Sequence, residues 1–163
     1  MAFGQQGFVQ LYNDFGATEN FHMVPAIRKV EGPCVDEGSC NYEKYTLCAF
    51  NMTQTKTQIA FLACMDDQDR TVAAKDAATT CAAKTSLSFD AISACFASPG
   101  LDRLVQAASD DFNARLPGQT SIPHTFVNEK DVQPNYDSLK QALCDAGSQA
   151  AVCNQKAAEA CVV

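Results

Sequence analysis

The sequence contains no tryptophan and only two histidines, and no two of its cysteines are spaced as a Cys-x-x-Cys redox pair. No apolar run approaches the ~20 residues that a membrane-spanning helix requires. Basic residues are also few: 12 lysines and arginines stand against 19 acidic residues, which gives a formal net charge of −7. Because phosphate backbones and anionic membrane surfaces repel such a chain, we expect it to bind neither nucleic acid nor a membrane surface.

Cysteine, by contrast, is abundant, with nine residues in a chain of 163. This density is typical of proteins in oxidising compartments, where disulfide bonds persist. We therefore predict a structural disulfide framework built from Cys34, Cys40, Cys48, Cys64, Cys81, Cys95, Cys144, Cys153 and Cys161. Because the number is odd, at least one thiol is free, pairs between chains, or pairs with a residue outside this sequence.

Metal binding and hydrolysis are alternative uses of these residues, and we expect neither. Cys34, Cys40 and Cys48 are separated by five and seven residues, whereas tight zinc sites usually space their ligands by about two to four. The acidic runs 66–69 and 110–111 lack the glycine and terminal glutamate of a calcium loop. We predict no metal and no cofactor, and we interpret His22 and His124 as surface or core residues rather than catalytic bases.

The start of the chain does not read as a targeting segment. Met1-Ala2-Phe3 is followed by polar Gln5 and Gln6, without a basic start or an apolar stretch. We expect the targeting segment to lie outside this chain; the alternative is a cytosolic protein whose cysteines are reduced. The glycosylation sequon at Asn51 agrees with a secretory route. The predicted location is a secretory, lysosomal or vacuolar lumen, or a thylakoid lumen.

Hydrophobic periodicity predicts a chain that is rich in helices and poor in strands. Proline and glycine clusters separate the predicted elements. The predicted strands are residues 21–27 and 122–127, the second followed by a turn at 128–130 that leads back through residue 132. Helices are predicted over residues 3–15, over most of 41–115 with a cap at Ser88, and over 135–146 and 148–161.

Several short motifs follow one another in this order: Met23-Val24-Pro25, the acidic loop from Cys34 to Cys40, the apolar-Cys-Met-acid segment 60–67, Ile122-Pro123, and Val127-Asn128. Together with the cysteine spacing, they resemble the gamma-interferon-inducible lysosomal thiol reductase family. The resemblance implies a thioredoxin-like fold interrupted by a helical insertion. It also makes Pro123 the candidate for the cis-proline of that fold. One departure is Glu129, which stands where the family has glycine after Val-Asn.

A larger departure concerns the redox motif itself. Reductases of this fold carry Cys-x-x-Cys at the N-terminus of their first helix, where the helix dipole lowers the thiol pKa. Here the corresponding place is Gly4-Gln5-Gln6-Gly7, and no cysteine precedes Cys34. We therefore expect a single thioredoxin-like α/β domain over residues 1–163 that is incomplete at its N-terminus. A disulfide-braced helical insertion is expected at about residues 41–115.

The resulting functional hypothesis is a non-catalytic binding or scaffolding protein, such as an accessory subunit of a membrane-associated or photosynthetic assembly. Its expected partners are other protein subunits. Contact is expected through the apolar face of the first helix, formed by Phe8, Leu11, Tyr12 and Phe15, or through the acidic surface. The alternative is a thiol–disulfide oxidoreductase of the resembled family, present here without its redox motif. A third hypothesis is a redox sensor that uses the odd cysteine.

Overall fold

A computed structural model describes residues 7–28, 34, 38–69, 71–119 and 122–154. The chain divides into two compact units. One, here called the split unit, combines residues 1–21 with residues 123–163; the other, the inserted unit, is the continuous stretch 22–122 between them. Cys161 and the segment Gly4 to Gln6 lie outside the described residues.

The described residues form seven α-helices, one two-stranded sheet and a short 3-10 turn. In chain order the elements are α1 (Phe8–Phe15), α2 (Asn41–Asn51), α3 (Thr55–Asp66), α4 (Ala74–Lys84), α5 (Phe89–Phe96), α6 (Leu101–Arg115), β1 (Thr125–Val127), β2 (Lys130–Val132), α7 (Tyr136–Asp145) and a 3-10 turn at Ala151–Cys153. The prediction of a helix-rich, disulfide-braced chain is confirmed. No helix in the described part of the chain combines the length and the apolar character needed to cross a membrane.

The inserted unit is a helical bundle in which α2 contacts α3, α4, α5 and α6. Its core mixes large residues with very small ones: Tyr45, Phe61 and Ile92 pack with the alanines of α4. Small side chains let neighbouring helices approach closely, but each one removes little apolar surface from water. The side chain of Ser88 accepts a hydrogen bond from the Ala91 amide, which confirms the predicted cap of α5.

A second cluster in the inserted unit holds the segment that was predicted to be a strand. Residues 21–28 form no strand, so that prediction is wrong. Ile27 instead packs with Leu47 of α2 and Ala108 of α6. The Asn113 side chain donates a 3.1 Å hydrogen bond to the Ile27 carbonyl, so a side chain satisfies a backbone group that a sheet would otherwise have paired.

The split unit has a small core of its own, made by Leu11, Phe15, Leu139 and Ala150. Its sheet is the hairpin β1–β2, with Thr125 opposite Val132 and Val127 opposite Lys130. The strand predicted at 122–127 and the turn after it are therefore confirmed over residues 125–132. The thioredoxin-like fold stays a prediction.

The start of α7 and the segment after this helix were both predicted to be helical. Asn135 caps α7 by accepting a hydrogen bond from the Ser138 amide, as an asparagine before a helix is expected to do. The helix predicted from residue 148 onward begins as the 3-10 turn at Ala151–Cys153, and residues from 155 lie outside the described part.

Candidate functional site

The place of the expected redox motif is the N-terminus of α1. Gly7 is the cap residue of this helix, and its carbonyl accepts a 3.0 Å hydrogen bond from the Leu11 amide. A glycine offers no side chain to act as a nucleophile there. Pro123 is exposed and lies two residues before β1, and its cis geometry stays a prediction.

Every cysteine in the described part of the chain is paired with another. The four disulfides are Cys34–Cys40, Cys48–Cys95, Cys64–Cys81 and Cys144–Cys153. The first three lie within the inserted unit and the fourth within the split unit. The predicted disulfide framework is thus confirmed for eight of the nine cysteines, and Cys161 lies outside the described residues.

Five of the six cysteines of the inserted unit are buried, and Cys95 is half-buried. Cys48 and Cys81 are fully buried, and Cys34, Cys40 and Cys64 are nearly so. Thiol–disulfide exchange requires an attacking thiolate to reach a sulfur atom, so burial of this kind favours a structural role.

The same pairing removes the thiolates on which a zinc site would depend. The sulfurs of Cys34 and Cys40 lie within 4.8 Å of a Glu43 carboxylate oxygen. These sulfurs are bonded to each other, however, and the third candidate ligand, Cys48, is bonded to Cys95. Because the thiolate is the form that ligates a metal, this cluster is a disulfide beside a carboxylate rather than a metal centre.

Both histidines face carboxylates. His124 Nδ1 lies 3.1 Å from Asp131 Oδ2 across the hairpin, and His22 Nε2 lies 3.6 Å from Asp111 Oδ2. A Cys-His hydrolase needs a thiol within reach of the imidazole. Since each described cysteine is in a disulfide, neither histidine can activate one of them.

The acidic run 66–69 lies at the end of α3, and its last carboxylate accepts hydrogen bonds within the loop that follows. Asp69 Oδ1 accepts hydrogen bonds of 2.9 Å from both the amide and the hydroxyl of Thr71. The backbone bond, followed by the hydroxyl bond, lowers the pKa of the Asp69 carboxyl below its usual range. On α6, Asp111 accepts from Arg115 at 3.2 Å. These contacts match helix-end and surface roles rather than a calcium loop.

Two of the four residues on the face of α1 that was predicted to meet a partner are buried. Leu11 is 2% exposed and Phe15 is fully buried, both in the core of the split unit. They are therefore not available to a partner, because the chain's own residues cover them. Phe8 and Tyr12 are partly exposed and pack edge-on against Phe21. Asn51, the predicted glycosylation site, is exposed at the last residue of α2.

The split unit also contains a polar cleft of about 260 Å³ that sequence reasoning missed. Three short segments line it: Thr18 and Glu19 after α1, Val127 and Asn128 at the hairpin, and Leu143 with residues 146–149 at the end of α7. The sequence signal available was Gly147-Ser148, a helix stop followed by a hydroxyl. That signal does not reveal that Glu19, 129 residues earlier, lies beside Ser148.

Comparisons with models of protein families, with curated proteins and with solved structures found no match to this chain. The resemblance to the lysosomal thiol reductase family therefore stays a prediction carried by the motifs of the sequence.

Proposed function

We propose that this chain is a non-catalytic thioredoxin-like binding or scaffolding protein of an oxidising compartment, and an accessory subunit of a larger protein assembly. The observation that carries the proposal is the closure of all eight described cysteines into four disulfides within the chain. A dithiol reductase needs a reactive thiolate next to a second thiol. The described residues offer neither.

The distribution of the disulfides supports a structural use. Two of them join helices of the inserted unit: Cys48–Cys95 connects α2 with α5, and Cys64–Cys81 connects α3 with α4. Restricting the unfolded chain in this way stabilises a bundle in which α4 is largely alanine and threonine. A rigid, acidic surface without reactive thiols is suited to binding. Four such bonds are also compatible with an oxidising compartment.

An insulin-reduction assay separates this proposal from the oxidoreductase alternative. With dithiothreitol as the electron source, we expect no acceleration over the reagent alone, whereas thioredoxin at equal concentration accelerates strongly. A Cys161→Ser variant, assayed alongside, removes the one cysteine outside the described residues. Turnover comparable to thioredoxin would overturn the proposal, and its loss in Cys161→Ser would assign that activity to Cys161.

Scaffolding itself is tested by the size of the native particle. After gentle extraction from the source, size-exclusion chromatography should place the chain in a particle well above its own mass of 17.5 kDa. The co-eluting subunits should be identified by mass spectrometry. Elution only as a free monomer, with no co-migrating protein, would contradict an accessory-subunit role.

A further inference from the structure

We infer that the cleft of the split unit binds an arginine side chain of a partner protein. This inference rests on the proposed binding function and names the chemistry of the partner. Thr18, Glu19, Asn128 and Ser148 give the cleft its polar lining, and none of its described lining residues is basic. It therefore offers acceptors to a cation without an internal cation that competes for them.

Glu19 is the charged group of the cleft, and its position is fixed. Its Oε1 atom accepts a 2.6 Å hydrogen bond from the Ser148 hydroxyl. That hydroxyl in turn accepts from the Ala150 amide at 3.3 Å, so its proton points toward Glu19. Oε2 of Glu19 makes no hydrogen bond or ion pair with the residues that the structure describes, which leaves it for a ligand.

Two helix ends add to the negative potential. α1 ends at Phe15 and α7 ends at Asp145, and the residues just beyond both C-termini line the cleft. A helix C-terminus carries about half a negative charge from its aligned peptide dipoles, and the effect is concentrated in the last turn. Backbone amides already bond the Phe15, Leu143 and Cys144 carbonyls, so the helix ends add a smaller contribution to the negative potential of the Glu19 carboxylate.

The wall beyond α7 is held in place covalently. Cys144 and Cys153 are bonded, and the loop that they close contains residues 146–149 of the cleft lining. Gly147 turns the chain there with φ +93°, a conformation that glycine adopts without a Cβ clash. A site that is already in shape loses less conformational entropy when a ligand binds.

Size and shape favour one long side chain rather than a larger group. About 260 Å³ lies below the range of roughly 300–1,000 Å³ that is usual for small-molecule pockets. Val127 and Leu143 offer apolar surface to the aliphatic stem of an arginine. Its planar guanidinium has five donors in a fixed fork, which suits Oε2 of Glu19 together with the side-chain oxygens of Thr18 and Asn128 in the lining better than a point charge does.

The charge around the cleft agrees with a basic partner. Within residues 7–21 and 123–154 of the split unit, two lysines stand against six carboxylates: Asp14, Glu19, Glu129, Asp131, Asp137 and Asp145. This excess attracts basic surfaces and accelerates their association at low ionic strength.

NMR titration of the ¹⁵N-labelled full chain tests the inference. The probe is N-acetyl-arginine amide, and the matched control ligand is N-acetyl-citrulline amide, which has nearly the same shape without the charge. We expect saturable amide shifts centred on Glu19, Asn128 and Ser148 with the arginine compound at millimolar concentration, and none with citrulline. Equal binding of both compounds, or saturable shifts centred elsewhere, would overturn the inference.

A variant pair assigns the effect to Glu19. Glu19→Gln keeps the shape of the side chain and removes its charge, and we expect it to weaken binding by roughly tenfold or more. Glu129→Gln removes a nearby exposed charge that does not line the cleft, and it should keep the affinity within about twofold. The amide spectrum of each free variant verifies its fold. Unchanged affinity in Glu19→Gln would overturn the assignment.

The arginine titration and the size of the native particle test the two proposals separately. If the native protein elutes in a large particle but the arginine probe does not bind, the scaffolding proposal stands and the cleft inference fails. If the probe binds but the native protein is a free monomer, the cleft inference stands and the accessory-subunit role fails.

Discussion

The hydroxyl of Tyr136 on α7 donates a 2.6 Å hydrogen bond to Asp14 Oδ2 on α1. The bond joins two helices whose residues are 122 positions apart in sequence. It lies beside the small core of the split unit, where α1 and α7 pack together. Burial, followed by this hydrogen bond, raises the pKa of Tyr136 to about 12.

Removing the hydroxyl should weaken the split unit. We expect Tyr136→Phe to lower the free energy of unfolding by about 1–2 kcal/mol, since the ring still packs but the Asp14 carboxylate loses its donor. Tyr12→Phe is the matched control, because Tyr12 packs on Phe21 and its hydroxyl makes no hydrogen bond with the described residues. Urea unfolding followed by circular dichroism measures both. Equal losses in the two variants would contradict the role given to the bond.

Alkaline titration provides the pH dependence of the same contact. A raised folded-state pKa means that the fold favours the neutral phenol, so its stabilisation is complete below about pH 10 and is lost as pH rises toward 12. The ultraviolet absorbance of phenolate should show a late-titrating tyrosine that disappears in Tyr136→Phe. Stability should also fall less steeply between these pH values in the variant. Loss of an early-titrating tyrosine instead would refute the assignment.

The hairpin turn contains a residue in an unfavourable conformation. Asn128 and Glu129 both have positive φ, +46° and +68°, as a two-residue turn between antiparallel strands requires. Asparagine tolerates this region, but for glutamate it costs about 1–2 kcal/mol. Glycine is freer than glutamate in the unfolded chain, and this costs about 0.5–1 kcal/mol on folding. We therefore expect Glu129→Gly to raise the free energy of unfolding by a net amount of roughly 0.5–1 kcal/mol.

The control for this prediction is the preceding position. Asn128→Gly should give a smaller gain, or a loss, because asparagine already suits the left-handed region. Thermal unfolding of the two variants and the parent chain compares them directly. A larger gain at position 128 than at 129 would contradict the conformational argument.

The disulfides should differ in their contribution to stability. Cys48–Cys95 closes a loop with a sequence separation of 47, whereas Cys34–Cys40 has a separation of 6. The chain-entropy relation gives losses of about 4 kcal/mol for Cys48→Ala with Cys95→Ala, and about 2 kcal/mol for Cys34→Ala with Cys40→Ala. Denaturant unfolding in a Cys161→Ser background, which prevents exchange with that thiol, measures both. The reverse ranking would show that native packing outweighs loop length.

The helices and the hairpin could be read from the sequence because their signals are local. A serine cap at Ser88, a proline–glycine break after α5 and an apolar stripe on α6 act within a few residues. The density of cysteine likewise predicted disulfides, because that inference depends on the redox compartment rather than on geometry.

The sequence does not reveal which elements pack against one another. The apolar run 21–27 suits a buried strand and an extended segment on helices equally well, and Ile27 is held by α2, α6 and Asn113. Similarly, the apolar face of α1 looks the same in the sequence whether α7 or another chain packs on it. In the structure, Leu11 and Phe15 pack in the core of the split unit. The cleft depends on a contact between Glu19 and Ser148 that no local pattern encodes.

The pairing pattern also bears on how the protein is made. Three of the four disulfides join cysteines that follow one another in the cysteine order, whereas Cys48 passes over Cys64 and Cys81 to reach Cys95. A chain that enters a lumen N-terminus first exposes Cys48 and Cys64 to an oxidase before Cys95 has emerged. In such a chain Cys48 meets Cys64 before its own partner emerges, so we expect mispairing to arise at Cys48 and Cys64 rather than at Cys34–Cys40 or Cys144–Cys153.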